Sequence, residues 1–185
     1  HRRIRQSIAD DEPWPDFARA LLCSRGSNFR VPESNFLRAV QTRTPEGVSE
    51  AASATFLLKP TAEYAHFFSR VAWKKTREWK EEIVQVEGPD RRVKFVELMF
   101  GEFRRDFAAA MVKRVAHWLL GLDQPDPAHV ELFIKGGFRL RPLVRAIVLS
   151  PAYGRGSVKG GFRLRRLDAE ILDETAELVR PRIEV

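Results

Sequence analysis

The spacing of apolar residues changes character only once along this chain, and that single change constrains the fold more than any other feature. Over most of the length apolar side chains recur at helical intervals. Tyr64, Phe67, Phe68, Val71 and Ala72 follow the i, i+3, i+4, i+7, i+8 pattern. Residues 106–120 repeat it, with Phe107, Ala110, Met111, Val115 and Trp118 on one face and Gly121 as a stop. Between Glu82 and Leu98 the period drops to two. Residues 82–87 and 93–98 alternate, and Gly88-Pro89-Asp90 between them is turn chemistry. The expectation is a mainly α protein, an irregular helical domain with one small β-hairpin. Residues 1–100 form a first helical region ending in the hairpin and residues 101–185 a second, packed as one compact unit.

Punctuation residues divide the rest. Residues 2–9 form a basic amphipathic helical stretch that Pro13-Trp14-Pro15 interrupts. Residues 16–25 read as helix, with Phe17, Ala20, Leu21 and Leu22 inward and Gly26 as C-cap. Residues 27–33 read as a loop and 35–41 as a short helix. Thr44-Pro45 places a capping hydroxyl before a proline at the first helical position, and that helix runs to Leu58. Thr61 caps the aromatic helix that follows. Residues 128–134 read as a short helix or extended piece, and 142–149 as a helix ended by Ser150-Pro151. Asp168 caps a last helix that turns Ile171, Leu172, Leu178 and Val179 inward.

One phrase occurs twice. KGGFRLRPL at residues 135–143 and KGGFRLRRL at 159–167 differ only at Pro142 and Arg166. Each copy precedes a predicted helix. Gly-Gly frees the backbone and Phe-x-Leu anchors the entry to a core. A phosphate loop needs its glycines at the helix start, and here four to six residues intervene before the predicted helix. The phrase is therefore read as a repeated structural joint.

The chain has 185 residues, 44% of them hydrophobic, enough for a real core. Cys23 is the sole cysteine, so no internal disulfide and no CxxC motif exists. No run approaches a membrane span, and no signal peptide is expected. The formal charge of +7 invites a nucleic-acid reading. The basic residues lie in singles and pairs rather than in one block, with no accompanying recognition motif. Docking on an acidic protein or membrane surface is preferred.

No residue pattern compels a reaction, and no metal or cofactor is expected. His66 and His117 lack a second ligand at suitable spacing, and His129 with Asp126 makes only a weak constellation. Glu78, Glu81 and Glu82 around Trp79 are offset by Lys74, Lys75, Arg77 and Lys80. Arg114 and Arg145 interrupt apolar helices and are expected to form structural salt bridges with Asp168 or Glu170. Gly26-Ser27-Asn28-Phe29 is the loop most suited to function, though Ser27 and Asn28 equally suit bracing a turn. Trp14, Trp73 and Trp79, with Arg104 and Arg105, are the interface candidates, since aromatics and arginine supply most binding energy.

Several longer phrases share a likeness. PWPDFARALLCSRGSNFRVPESNFLRAV (residues 13–40), AHFFSRVAWKKTREWKEEIV (65–84), FAAAMVKRVAHWLLG (107–121), LVRAIVLSPAY (143–153) and RRLDAEILDE (165–174) occur in that order. Together they resemble the planctomycete-type cytochrome c-associated surface proteins, in a haem-free branch whose two conserved domains have no assigned function. The chain resembles a shortened or incomplete member. Lys113-Arg114-Val115-Ala116 replaces the family's Asn-Arg-Val-Trp, and the spacers are shorter. The resemblance implies a helical, periplasmic or envelope-associated bacterial protein with no known reaction. The expected role is a non-catalytic accessory or scaffold subunit of a larger, possibly cytochrome-containing assembly. The alternatives are a carboxylate-dependent hydrolase of envelope polysaccharide and a basic nucleic-acid-binding protein.

Overall fold

The computed structural model describes residues 2–76 and 81–154. Its helices are α1 (Arg2–Ala9), α2 (Trp14–Leu22), α3 (Asn35–Ala39), α4 (Pro45–Leu57), α5 (Ala65–Phe68), α6 (Arg92–Phe100), α7 (Arg104–Leu120), α8 (Pro127–Lys135), α9 (Leu140–Val148) and α10 (Pro151–Gly154). Strands β1 (Gly26–Ser27), β2 (Val71–Lys75) and β3 (Glu82–Val86) form one antiparallel sheet in the order β1-β3-β2. The fold is mainly α with one small sheet, as the apolar spacing predicts.

α7 is the axis of the core. Phe107, Ala108, Met111 and Val112 are buried on it, and α4, α6, α8 and α9 pack around it. Phe107 meets Phe100, Phe133 and Phe138 at 4.6, 6.2 and 5.7 Å. Trp14 reaches the same ring at 6.1 Å, so the core crosses the expected boundary at residue 100 without a seam. Gly121 ends α7 in the left-handed conformation with φ 68°, its N–H donating to His117 O. Trp118 departs from expectation: it is 74% exposed. Ala116 takes the buried position in the last turn, and a residue two further on points to the opposite side.

Two elements exchange identities relative to the expectation. The aromatic helix is a single turn, α5, and Val71–Lys75 is strand β2, paired with β3 through Trp73 opposite Val84. Two buried serines of α4 stop the helix from starting early. Ser49 Oγ donates to Thr61 O at 2.6 Å and accepts Tyr64 N–H, while Ser53 Oγ accepts Thr61 N–H at 2.9 Å. The backbone around residue 61 is thereby spent on side chains, not on a helical ladder. Conversely, residues 93–98, expected as the second hairpin arm, lie in α6. Arg92, Phe95, Val96 and Met99 are buried at i, i+3, i+4 and i+7, a helical stripe that the apolar-polar-apolar runs Val93-Lys94-Phe95 and Val96-Glu97-Leu98 conceal. Gly26 likewise does not cap α2, which ends at Leu22. It opens β1 with φ 106°, opposite Val84.

Arg92 stands just before the stretch expected as the second hairpin arm and begins α6 instead. Its side chain is 1% exposed and every contact closes on the protein. Nε and Nη2 fork onto Asp90 at 2.8 and 2.7 Å, and Nη1 and Nη2 donate to Ser24 O and Cys23 O. This ties the end of α2 to the start of α6.

The first KGGFRLR copy is a joint, as expected, with a shorter spacing than expected. Gly136 follows α8, Gly137 adopts φ 68°, and α9 begins at Leu140, after only Phe138 and Arg139. Each letter has a task. Phe138 packs on Phe100, Phe107 and Phe133. Arg139 donates to Asp11 O and Arg141 to Ala9 O, satisfying carbonyls at the end of α1. Phe138 O accepts Trp14 N–H at 3.1 Å. The second copy lies outside the described residues.

Candidate interaction site

The corner clamped by this joint holds a small apolar pocket of about 110 Å³. Ile4 and Ile8 of α1 form one wall, Trp14 and Phe17 of α2 the floor, and Leu140 of α9 the end. Ile4 and Ile8 stand one helical turn apart and remain 53% and 61% exposed. α1 buries no residue, so its apolar side is held beside the pocket by charge instead of by core packing. Arg3 does this. Its Nη atoms fork onto Glu12 at 2.7 Å and its Nε donates to Glu33 at 2.8 Å. Arg2 and Arg5 remain exposed on the same helix. Ser7, Asp11 and Glu12 complete the lining, so the pocket is an apolar hollow with a polar edge where Arg3 pairs with Glu12.

Trp14 lines the pocket and is half-buried, with ring contacts to Phe17 and Phe56. Trp73 is half-buried on β2, its Nε1–H donating to Leu37 O and the Arg43 guanidinium over its ring. Trp79 lies outside the described residues. Arg104 and Arg105 are exposed at the start of α7, and Arg105 pairs with Glu131. The structure brings Trp14 to the pocket and leaves Trp73, Arg104 and Arg105 elsewhere. Ile4, Ile8 and Leu140 were missed. The basic amphipathic pattern of residues 2–9 was the available signal for the first two.

The carboxylates expected to pair with Arg114 or Arg145, Asp168 and Glu170, lie outside the described residues. Among the described residues Arg114 donates to Thr55 O and Ala54 O at the end of α4, an arginine-to-carbonyl clamp. Arg145 is exposed on α9, where water solvates its charge.

Three carboxyl groups, Glu12, Glu82 and Asp90, are held below the usual carboxylate range by hydrogen bonds from Arg3, Arg43 and Arg92 respectively. A carboxylate fixed in its charged form is a poor proton donor, so these groups suit structure better than acid catalysis. Burial pushes the Cys23 thiol up, which keeps it protonated and unreactive. Among the described residues no group of three His, Cys, Asp or Glu is placed to hold a metal ion. His117 pairs with Asp123 at 3.0 Å on the surface, and His66 faces Glu63 O. Ser27 and Asn28 are both spent on bracing: Ser27 Oγ accepts Phe29 N–H, and Asn28 Oδ1 accepts Glu82 N–H at 2.8 Å.

No family model matches the chain, and no match was found among curated proteins or solved structures. No described helix is long and apolar enough to cross a membrane.

Proposed function

We propose that this protein is a non-catalytic accessory or scaffold subunit that docks through the α1–Trp14 pocket onto an acidic partner protein. The observation that carries this reading is the pocket itself. Two isoleucines stay exposed beside a tryptophan floor, and Arg2 and Arg5 are exposed on the same helix. A partner that seats one apolar side chain in the hollow and sets acidic residues against Arg2 and Arg5 satisfies both features. The resemblance to cytochrome c-associated envelope proteins supports an assembly in the bacterial periplasm or envelope. The arginine-held carboxylates weigh against the hydrolase alternative, which needs a carboxyl poised to give up a proton.

The test is native mass of the chain extracted from its source, beside the Ile4→Glu, Ile8→Glu double variant. The wild type is expected in a complex of fixed ratio, and the variant as a monomer of 21.3 kDa. A wild type that is itself a monomer, or a variant that keeps the complex, overturns the reading.

A further inference from the structure

The rim of the small sheet gathers charge from four separate segments. Lys75 of β2 is the cross-strand partner of Glu82 on β3, and Trp73, two residues earlier, shares its face. Arg38 arrives from α3 and Arg43 from the loop before α4. Arg43 Nη2 donates to Glu82 Oε2 at 2.7 Å, while Arg38 Nε stands 3.7 Å from the same oxygen. One carboxylate oxygen faces two guanidiniums and reaches hydrogen-bond distance of only one. Arg38 Nε is buried and has no hydrogen-bond partner. Native proteins rarely leave a buried donor in that condition.

Among the described residues, Arg38, Arg43 and Lys75 all act on Glu82, so three cations face this one carboxylate. The arginine side chains remain 38% and 33% exposed, so a solute can reach their heads. Trp73 sits under Arg43 with the ring centroid 5.9 Å from the guanidinium carbon, and its own N–H is fixed to Leu37 O. That contact favours one plane for the Arg43 fork before any ligand arrives.

We propose that this corner is an oxyanion-binding site for a phosphate dianion, free or as a monoester. Guanidinium forks match phosphate oxygens in geometry, and a dianion suits a corner where several cations face one carboxylate. Glu82 is the internal group with which the ligand competes. Its main chain is secured by the N–H bond to Asn28 Oδ1, so its side chain can leave Arg43 while β3 stays in place. This site is separate from the α1–Trp14 pocket and does not depend on the docking reading.

The test titrates the full chain with inorganic phosphate in chloride buffer. It is followed by calorimetry and by the indole N–H resonance of Trp73, assigned through Trp73→Phe. Saturable one-to-one binding that shifts that resonance is expected. Arg43→Ala should weaken it by about tenfold or more, the usual scale for one charge-assisted contact. Glu82→Gln should tighten it by removing the competitor. Arg38→Lys, which keeps charge but loses the fork, should fall between wild type and Arg43→Ala, with circular dichroism confirming each fold. Phenyl phosphate binding more tightly than phosphate identifies a monoester ligand, and equal or weaker binding identifies the free ion. Absence of saturation, or Glu82→Gln leaving affinity unchanged or lowered, overturns the site.

Discussion

Two arginine corners stand off opposite ends of β3 and use the same chemistry to different ends. At the far end Arg92 is sealed. Its guanidinium is 1% exposed, and Asp90, Ser24 O and Cys23 O take up its donors. At the near end Arg38 and Arg43 share one oxygen of Glu82, remain a third exposed, and leave a buried N–H unused. A charge withdrawn from water must have every donor paired, because the interior gives back nothing for an unmet bond. A charge at the rim tolerates an unmet donor better, because water and ions solvate the exposed part of its side chain. The first corner is therefore structure. The second has coordination to spare, and Arg3, 27% exposed between Glu12 and Glu33, lies between the two cases.

This contrast orders a set of measurements. Arg92→Ala should have the largest effect, a loss of about 3–5 kcal/mol in denaturant unfolding, since it leaves Asp90 with Arg25 as its ion-pair partner and takes the donor from the Ser24 and Cys23 carbonyls at once. A loss below about 1 kcal/mol would show that the sealed corner is no better matched than the open one.

Acid should act next. Asp90 is brought down from 3.8 to about 2 by its hydrogen bond from Arg92, with Arg25 adding a second. A depressed carboxylate pKa stabilises the fold above the unfolded value, and that contribution is lost as pH falls through the folded value. Stability should therefore drop between pH 3.8 and about 2, by about 2 kcal/mol from this group. Asp90→Asn should flatten that limb of a pH–unfolding profile. An unchanged limb would mean that Arg92 does not hold Asp90 ionised.

Arg3→Ala should cost about 1 kcal/mol, as suits a forked but partly solvated pair. It should also return the Glu12 carboxyl toward its ordinary titration, visible in carboxyl-carbon NMR. Smallest is Arg43→Ala, expected within about 0.5–1 kcal/mol in thermal melts, since an exposed ion pair gains little. A cost as large as that of Arg92→Ala would make the near corner structural too, and the comparison would collapse.

How legible these features were depends on whether their causes are local. Thr44-Pro45 announced α4, and Thr44 Oγ accepts Gly47 N–H as a capping hydroxyl should. Gly47 itself was silent, although an added Cβ there would collide with the carbonyl of Thr42. Gly121 announced the end of α7. The KGGFRLR joint was legible as a joint, but its arginines' hold on the end of α1 was not, since Arg141 and Ala9 are far apart in the chain. Trp14 and Trp73 drew attention by residue type alone. That Trp14 floors a pocket with Leu140, and that Trp73 lies beneath Arg43, required the fold.

By itself the sequence determined the helical class of the chain, the places where most helices start and stop, the presence of one small sheet, and a basic surface. These follow from side-chain period, caps and composition, which act over a few residues. Only the tertiary structure decided that residues 71–75 are strand and 92–100 helix, and which arginines are sealed and which left open. Apolar spacing near residue 71 suits a helix until β3 offers its ladder. Ser49 and Ser53 take the backbone bonds that α5 would have used to start earlier. A strand's stability lies in hydrogen bonds to distant residues, and an arginine's role lies in which oxygens surround it. Neither is written in the residues beside it.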